Sequence, residues 1–513
     1  MSDTTIEVVN PATGRLISAV EGWDAKRVEA AVARAHTAAR AWALVPVAER
    51  AARAARLART LREHRGALAS LAVAEMGKPV SEAEGEVEKS ALTAEYYARQ
   101  GPIILAHQHI EVDTFDTAEA AWVSHEPLGL VLAVMPWNFP VGWEVTVVER
   151  ARALADVGAG ISLHANGLRA LDALGVGEAV RAAARPQYTG GTRTPGGRWL
   201  ARMDGAALER ALGTPIVGIP RAELHRLLRA ALPPECLRVG AEVSSVDRSH
   251  PTRVRVPLDG DVLNADPDAY LDADLVVAAD GVGSRLRAQL FPRHPGPAYS
   301  GSTVLRAITE RPVPLRTASE LTWGNGAEFG HIAFTDGRAE WHAVLNSPPG
   351  VRPADALAAL RHRFGGWHDP IPALLAATRP DAVLHHDIHE LATPLPTFTA
   401  GRIALLGDAA HAMTPNLGQG ACQALEDAAT LAAALAGEPT VPAALSRYDA
   451  ERRPRSQSVA RAARQAGRMG QRLTHPLAIA ARNTALRLAP SRVTVRAVLR
   501  HGDWAPPRLP SAR

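Results

Sequence analysis

Cysteine is almost missing from this chain: Cys236 and Cys422 are the two in 513 residues, far apart and in no CxxC or zinc-ligand spacing. That excludes a disulfide framework and a structural thiolate metal site, and it points to a reducing compartment. A dominant charge is missing as well. The 57 Lys and Arg nearly cancel the 53 Asp and Glu, and the arginines are scattered along amphipathic segments, so no basic stripe for nucleic acid exists. No apolar run approaches the ~20 residues needed to cross a bilayer. The opening MSDTTIEVVNPATG has no basic stretch leading into an apolar one, so no targeting segment is read there. The expectation is a cytoplasmic protein without nucleic-acid or membrane partners, with room for about three domains.

The absence with the sharpest consequence is of glycine. Val145, Val147 and Val148 lead into Glu149, a strand ending in an acid as dinucleotide-binding units use to meet a ribose. Such a unit places its last phosphate-loop glycine ~20 residues upstream. Between residues 111 and 140 there is one glycine, Gly129, and no GxGxxG. The link Pro136-Trp-Asn-Phe-Pro140 is also too short for the crossover helix of a βαβ unit, which spans ~30 residues or more.

What is present falls into two halves. From residue 24 to about 100 the pattern is helical: Asp24 can cap a segment whose Val28, Val32, Ala35, Ala39 and Trp42 share a face, Leu57, Leu61 and Leu68 continue the period, and Glu82 to Tyr97 is a third segment. Ile103 and Ile104, Ile110 to Val112, Ala121 to Ser124 and Leu128 to Met135 read as strands. Asn10-Pro-Ala-Thr-Gly14, Glu75-Met-Gly-Lys-Pro79, the acidic helix to Tyr97, and Glu126-Pro-Leu-Gly to Pro136-Trp-Asn-Phe-Pro140 resemble the amino-terminal part of aldehyde dehydrogenases of the succinate-semialdehyde type. The resemblance implies that Asn138 matches an oxyanion-binding Asn. It covers about residues 6 to 140 and then stops, without that family's nucleophilic Cys and general-base Glu motifs, both of which acyl transfer requires.

The second half carries two related runs. Asp274-Leu-Val-Val-Ala-Ala-Asp280-Gly281-Val-Gly-Ser284-Arg-Leu-Arg287 is an apolar strand ending in Asp-Gly. Arg402-Ile-Ala-Leu-Leu-Gly407-Asp408-Ala-Ala-His411 repeats the logic and continues through Pro415-Asn-Leu-Gly418-Gln-Gly420 into a helix over Ala421 to Ala436. Each places a carboxylate at a strand's carboxyl end, the usual ligand position in an open α/β sheet, and the glycine turn bares N–H groups at a helix start, which suits an anionic group. With Val147-Val-Glu149-Arg150, Ile219-Pro-Arg221-Ala-Glu-Leu224 and Tyr448-Asp-Ala-Glu-Arg452, these residues resemble the single-component flavin-dependent aromatic hydroxylases, the para-hydroxybenzoate hydroxylase family. The resemblance implies FAD and NAD(P)H as cofactors, and a small aromatic substrate hydroxylated with O2 through a flavin hydroperoxide. By it, Glu149 and Arg150 meet the adenosine ribose, Arg221 lies along the cofactor, and Asp280 with Gly281 serves flavin and NAD(P)H sites together. Gly407 with Asp408 binds the ribityl chain, and Gly418, Gly420 and Ala421 lie under the flavin's pyrimidine.

The expected fold class is therefore α/β. A truncated FAD/NAD(P)-binding Rossmann-like domain over 141–470 would carry an inserted mixed β-sheet substrate domain at about 295–395. An aldehyde dehydrogenase-like helical and extended fragment over 1–140 would precede it, with a helical tail over 471–513, and the fragment could mediate oligomerisation. Thr303, Arg306, Trp323, Phe329, His331, Phe334 and Trp341 can line a pocket or simply fill a packed sheet. His385-His-Asp387-Ile-His389 invites a metal, but strand alternation sends His386 the other way and no metal is expected. Cys422 reads as a packed small residue, and Glu426 and Asp427 fit a solvated helix face as well as a site.

Overall fold

The computed structural model describes residues 5–11, 13–78, 80–106, 108–110, 121–125, 145–154, 159–233, 236–258, 270–438 and 440–507. The chain divides into two compact units between residues 144 and 145. Asn138 and the Leu128 to Met135 segment lie outside the described residues.

The first unit is a Thr5–Val9 and Leu16–Glu21 hairpin followed by helices Ala25–Ala43, Val47–Glu63, Arg65–Met76 and Val80–Ile104. Asp24 caps the first helix, its carboxylate accepting from the Arg27 N–H at 2.7 Å. Ile103 and Ile104 close the last helix instead of opening a strand. Extending an existing helix adds a hydrogen bond for each residue fixed, and this outweighs the local preference of two β-branched side chains. Among the described residues of this unit the fully buried apolar ones are alanines, Ala58, Ala69, Ala83 and Ala91, while Val28, Val32 and Trp42 on the apolar face of Ala25–Ala43 are exposed.

The second unit holds two parallel strand pairs. Val147–Glu149 runs beside Leu237–Val239, with Glu149 opposite Val239. Val276–Ala278 runs beside Ile403–Leu405, with Ala278 opposite Leu405, and Thr399–Ala400 adds an antiparallel edge. Among the described residues no strand joins the two pairs. Strands of a doubly wound sheet are buried on both faces, yet Val147 is 37% and Val277 42% exposed.

Behind Ile403–Leu405, the helix Gly420–Gly437 packs between Ala165–Ala173 and the long helix Val441–Met469. A separate seven-stranded sheet runs in the order Leu384–Glu390, Ala298–Ile308, Ala339–Asn346, Ala327–Ala333, Ser319–Trp323, Thr189–Arg193 and Trp199–Asp204. It is wider than the 295–395 segment, because Thr189–Arg193 joins Ser319–Trp323 in parallel, a pairing too distant in sequence for local periodicity to reveal. One face packs against helices Ala356–Phe364 and Ile371–Ala376: Leu305, Phe329, Trp341 and Ala343 meet Leu357, Leu360, Phe364 and Leu374. The Trp341 indole donates to Thr378 Oγ1 at 2.7 Å, so the buried ring leaves no polar group unpaired. The helices Pro476–Leu488 and Ser491–Gly502 pack on Trp199–Asp204.

Phe364 is fully buried, with its ring 5.3 Å from Phe329 and 4.7 Å from Trp367. Phe364→Ala should destabilise the second unit by about 3–5 kcal/mol, read as a lowered urea midpoint followed by tryptophan fluorescence.

Candidate active site

The strand Ile403–Leu405 is wholly buried, and it ends in a turn that only glycine makes cheaply. Gly407 has φ +61°, and a Cβ there would lie 3.2 Å from Ala424 Cβ, so the turn rests directly on the helix Gly420–Gly437. The Gly407 N–H donates to Asp427 Oδ2 at 3.0 Å, His411 Nε2 lies 2.6 Å from the same oxygen, and Arg452 Nε donates to Oδ1 at 2.7 Å. Arg452 also pairs with Glu426, which accepts from Arg455 at 2.6 and 2.7 Å and from Asn166 Nδ2 at 2.6 Å. Glu426 and Asp427 are therefore buried ions facing two arginines, correcting the solvated-face alternative. Their helix is covered on both sides, which the amphipathic pattern of one segment could not disclose. Burial alone would push the Asp427 carboxyl up, but His411 and Arg452 outweigh it and hold the group below the usual aspartate range. The Tyr448 hydroxyl donates to the Leu405 carbonyl at 2.8 Å and joins the long helix to the strand.

Asp408 follows with an exposed carboxylate at the strand's carboxyl end. Asp280 sits at the matching end of the neighbouring strand, also exposed, and its Oδ2 accepts from the Leu286 N–H at 3.2 Å, at the start of helix Arg285–Leu290. Gly281 makes the turn with φ +78°. Arg287 is buried and spans the two turns, donating to the Ala409 carbonyl at 3.0 Å and the Val282 carbonyl at 2.6 Å; its burial lowers its pKa. Gly418, at φ +62°, and Gly420 open the 18-residue helix, with Ala421 half-buried in its first turn. Glu149 closes its strand with Oε1 accepting from the Ala151 N–H at 2.8 Å, and Arg150 is exposed. Arg221 starts helix Arg221–Ala230, exposed, with its N–H donating to the Ala159 carbonyl at 3.0 Å. The structure thus ties the turns at 280 and 407 together, and no described contact links Glu149 or Arg221 to them.

These residues fit one end of a dinucleotide better than the other. The exposed carboxylate of Asp408 and the bare N–H groups of the Gly420–Gly437 first turn suit a polyhydroxyl chain and an anionic ring. For a pyrophosphate, the sequence supplies no glycine loop.

The remaining chemistry lies on the face of the large sheet turned away from helices Ala356–Phe364 and Ile371–Ala376. Arg306 stands opposite His342 in the register. Its Nη2 donates to Glu340 Oε1 at 2.9 Å and to the Gly160 carbonyl at 2.6 Å. His342 Nδ1 lies 3.3 Å from the other Glu340 oxygen, and Trp323 Nε1 donates to Glu328 Oε2 at 2.6 Å. Burial pushes the Glu328 carboxyl up. Burial works the same way on Glu340, but Arg306 and His342 prevail and hold it down. For His342 burial would lower the pKa, and the Glu340 and Glu328 carboxylates reverse this and raise it. Of the aromatic and polar candidates read from the sequence, Arg306 and Trp323 share this face, whereas Phe329, His331 and Trp341 take the helix-covered one. Glu328, Glu340 and His342 are not among the sequence candidates, although the single acid in each of the apolar strands AEFGHIA and AEWHAVLN was the available signal.

Asp387 holds Arg352 at 3.0 Å and the Gly350 N–H at 2.8 Å, and no His, Cys, Asp and Glu cluster of metal-binding form occurs among the described residues. Cys422 is buried against Gly167 and accepts from the His164 N–H at 3.5 Å. Its thiol is pushed up to about 12 by burial, which makes it inert as a nucleophile.

Residues 127–463 match the FAD binding domain family, and the chain belongs to it. Residues 1–188 match the aldehyde dehydrogenase family, so the chain joins parts of two families. It is 38% identical over 345 residues to the aurachin C monooxygenase/isomerase of Stigmatella aurantiaca, covering 67% of this chain and 87% of that protein. It is 33% identical to the 3-amino-4-hydroxybenzoate 2-monooxygenase of Streptomyces cremeus, covering 63% and 80%. The structure of Klebsiella pneumoniae HpxO with FAD and uric acid superposes with a TM-score of 0.63 at 24% identity, over 69% of this chain and 89% of that one. The class defined by fold and relatives is the FAD-dependent monooxygenases, and no helix among the described residues is long and apolar enough to cross a membrane.

Two outcomes follow for stability. Arg452→Met removes the guanidinium shared by two buried carboxylates, leaving Glu426 with Arg455 and Asp427 with His411, and should cost about 3–5 kcal/mol, measured by denaturant unfolding. Burial holds His164 and His331 near a pKa of about 4, whereas an unfolded imidazole ionises near about 6.5. The unfolded chain then binds protons first, so stability should fall as pH drops from about 6.5 toward about 4, and His331→Gln should flatten that slope.

Proposed function

We propose that this chain is an FAD-dependent, NAD(P)H-using monooxygenase that hydroxylates a small aromatic ring carrying an ionisable O–H or N–H, with FAD bound weakly at its adenosine end. The reading rests chiefly on the pair of turns at Asp280 and Gly407, set at the carboxyl ends of adjacent parallel strands and bridged by Arg287. Relatives named for an aminohydroxybenzoate, for urate and for a hydroxynicotinate support the substrate class. Bound reduced flavin and O2 would supply the electrophilic oxygen.

In this reading Asp408 holds the ribityl hydroxyls, while Gly418, Gly420 and Ala421 direct N–H groups and the helix dipole at the flavin's pyrimidine. Asp280 and Gly281 serve the flavin and NAD(P)H sites together. Glu149 and Arg150 meet the adenosine ribose, and Arg221 lies along the cofactor. The working divisions are 1–140, 141–470 and 471–513, and the exposed apolar face of Ala25–Ala43 is the surface for self-association through the first of them.

The purified chain should be yellow, with flavin absorbance, and should oxidise NADH or NADPH in the presence of O2. Asp408→Ala should weaken FAD uptake by about tenfold or more, the loss of hydrogen bonds worth ~1–3 kcal/mol. Restoring a strand, glycine loop and helix ahead of residue 142 should tighten it. A folded protein that takes up no added FAD overturns the reading.

A further inference from the structure

A closed ring of contacts crosses the face of the large sheet turned away from helices Ala356–Phe364 and Ile371–Ala376. At one end Arg306 donates to the Gly160 carbonyl, and a Cβ on Gly160 would lie 2.7 Å from Glu340 Cβ. From Gly160 the strand Gly160–Leu163 leads to His164, whose Nε2 lies against Gly418. Two residues earlier, Asn416 donates to Gln471 Oε1 at 3.1 Å, and the Gln471 carbonyl accepts from Asn346 Nδ2 at 3.2 Å, back on the sheet. The turn that would carry the flavin ring and this sheet face are therefore two walls of one cleft.

Within that ring two side chains keep partial access: the Arg306 side chain is 34% and that of His342 24% exposed, while Glu340 between them is fully buried. Arg306 Nε is buried with no hydrogen-bond partner. His342 Nε2 likewise makes no hydrogen bond among the described residues; it reaches over Gly330, where a Cβ would lie 2.4 Å away. The unpartnered acceptor thus lies over the strand Ala327–Ala333, and the unpartnered Arg306 donor belongs to the strand on the other side of His342.

We propose that His342 is the catalytic proton acceptor for an acidic O–H or N–H on the aromatic substrate, with Glu340 and Arg306 as positioning residues. The assignment rests on the monooxygenase reading above. In the step the substrate O–H or N–H bond breaks, its electron pair stays on the ring as a phenolate-type anion, and the proton forms a new N–H bond at Nε2. The ring anion is richer in electrons toward an electrophilic oxygen. The imidazolium stands against Glu340, and Arg306 helps keep that carboxylate ionised. The charged groups facing the ring are Glu340 on its own strand, Glu328 on the next strand and Arg306 opposite, with Arg482 farther out over Trp323. The two carboxylates make His342 a stronger base than free imidazole, so the neutral, accepting form grows as pH rises through a midpoint above the ordinary imidazole range.

The probe is 4-nitrophenol, whose phenolate absorbs in the visible. It is titrated by difference absorbance into the FAD-loaded protein about one pH unit below the free probe's own midpoint, where about a tenth is ionised. Wild type should bind it mainly as phenolate. His342→Gln should bind it as the phenol, lowering the bound phenolate-to-phenol ratio by about tenfold or more, and its hydroxylation rate should fall on the order of 10²-fold, recovering as pH approaches the substrate's own ionisation. Glu340→Gln should give an intermediate loss with its pH profile displaced downward, which a purely structural residue would not produce. Gly330→Ala, crowding Nε2 without removing the ring, repeats the test should His342→Gln fail to fold. A wild type that binds the probe only as phenol or not at all, or a yellow His342→Gln protein with the wild-type phenolate ratio, overturns the assignment. A wild type that takes up no FAD instead overturns the monooxygenase reading.

Discussion

The carboxylate of Asp427 meets the Gly407 N–H, the His411 ring and the Arg452 guanidinium, which belong to a strand-end turn, the short helix after it and the long helix Val441–Met469. An isolated ion at this depth would be expelled or neutralised. With Glu426 beside it and Arg455 completing the set, two acids face two bases, and the charge is balanced locally. Because a buried pair stabilises only when its geometry is kept, the three elements are fixed relative to one another. The position of Asp408, next in the chain after Gly407, follows from that constraint.

The same economy is missing on the other side of the nucleotide region. Among the described residues two parallel strand pairs stand without a shared strand, and Val147 and Val277, which such a sheet ordinarily covers, are exposed. The residues that would hold a flavin ring are well supported, while the sequence ahead of Glu149 carries no GxGxxG for a pyrophosphate. The two ends of one cofactor thus differ in preorganisation, and preorganisation is what turns contacts into affinity.

Much of this was legible in residues alone. Strand, Gly407-Asp408 and the Gly418 to Gly420 turn form one continuous run, so local pattern was sufficient, and the Asp280 turn repeated it. The motif Tyr448 to Arg452 was visible as a likeness, but its role was not, since Tyr448 reaches Leu405 and Arg452 reaches Asp427 across more than twenty residues. Glu426 and Asp427 fit a solvated face as well as a site in the sequence, because helical periodicity shows which side is apolar, not which side is covered. The acids at 328 and 340 were hidden for a similar reason: alternation reveals two faces of a strand, and only the register decides that Phe329 and Trp341 look into helices while Glu328 and His342 look away.

At Gly160 the backbone of one strand lies so near the large sheet that a single added methyl would collide with Glu340 and with the Phe334 ring. The distance between the two walls of the cleft is therefore set by the thickness of a bare peptide chain, which does not stretch or change rotamer. Position 160 works as a gauge block: it fixes how near this strand lies to the sheet face that carries Arg306 and Glu340, whatever the side chains around it do.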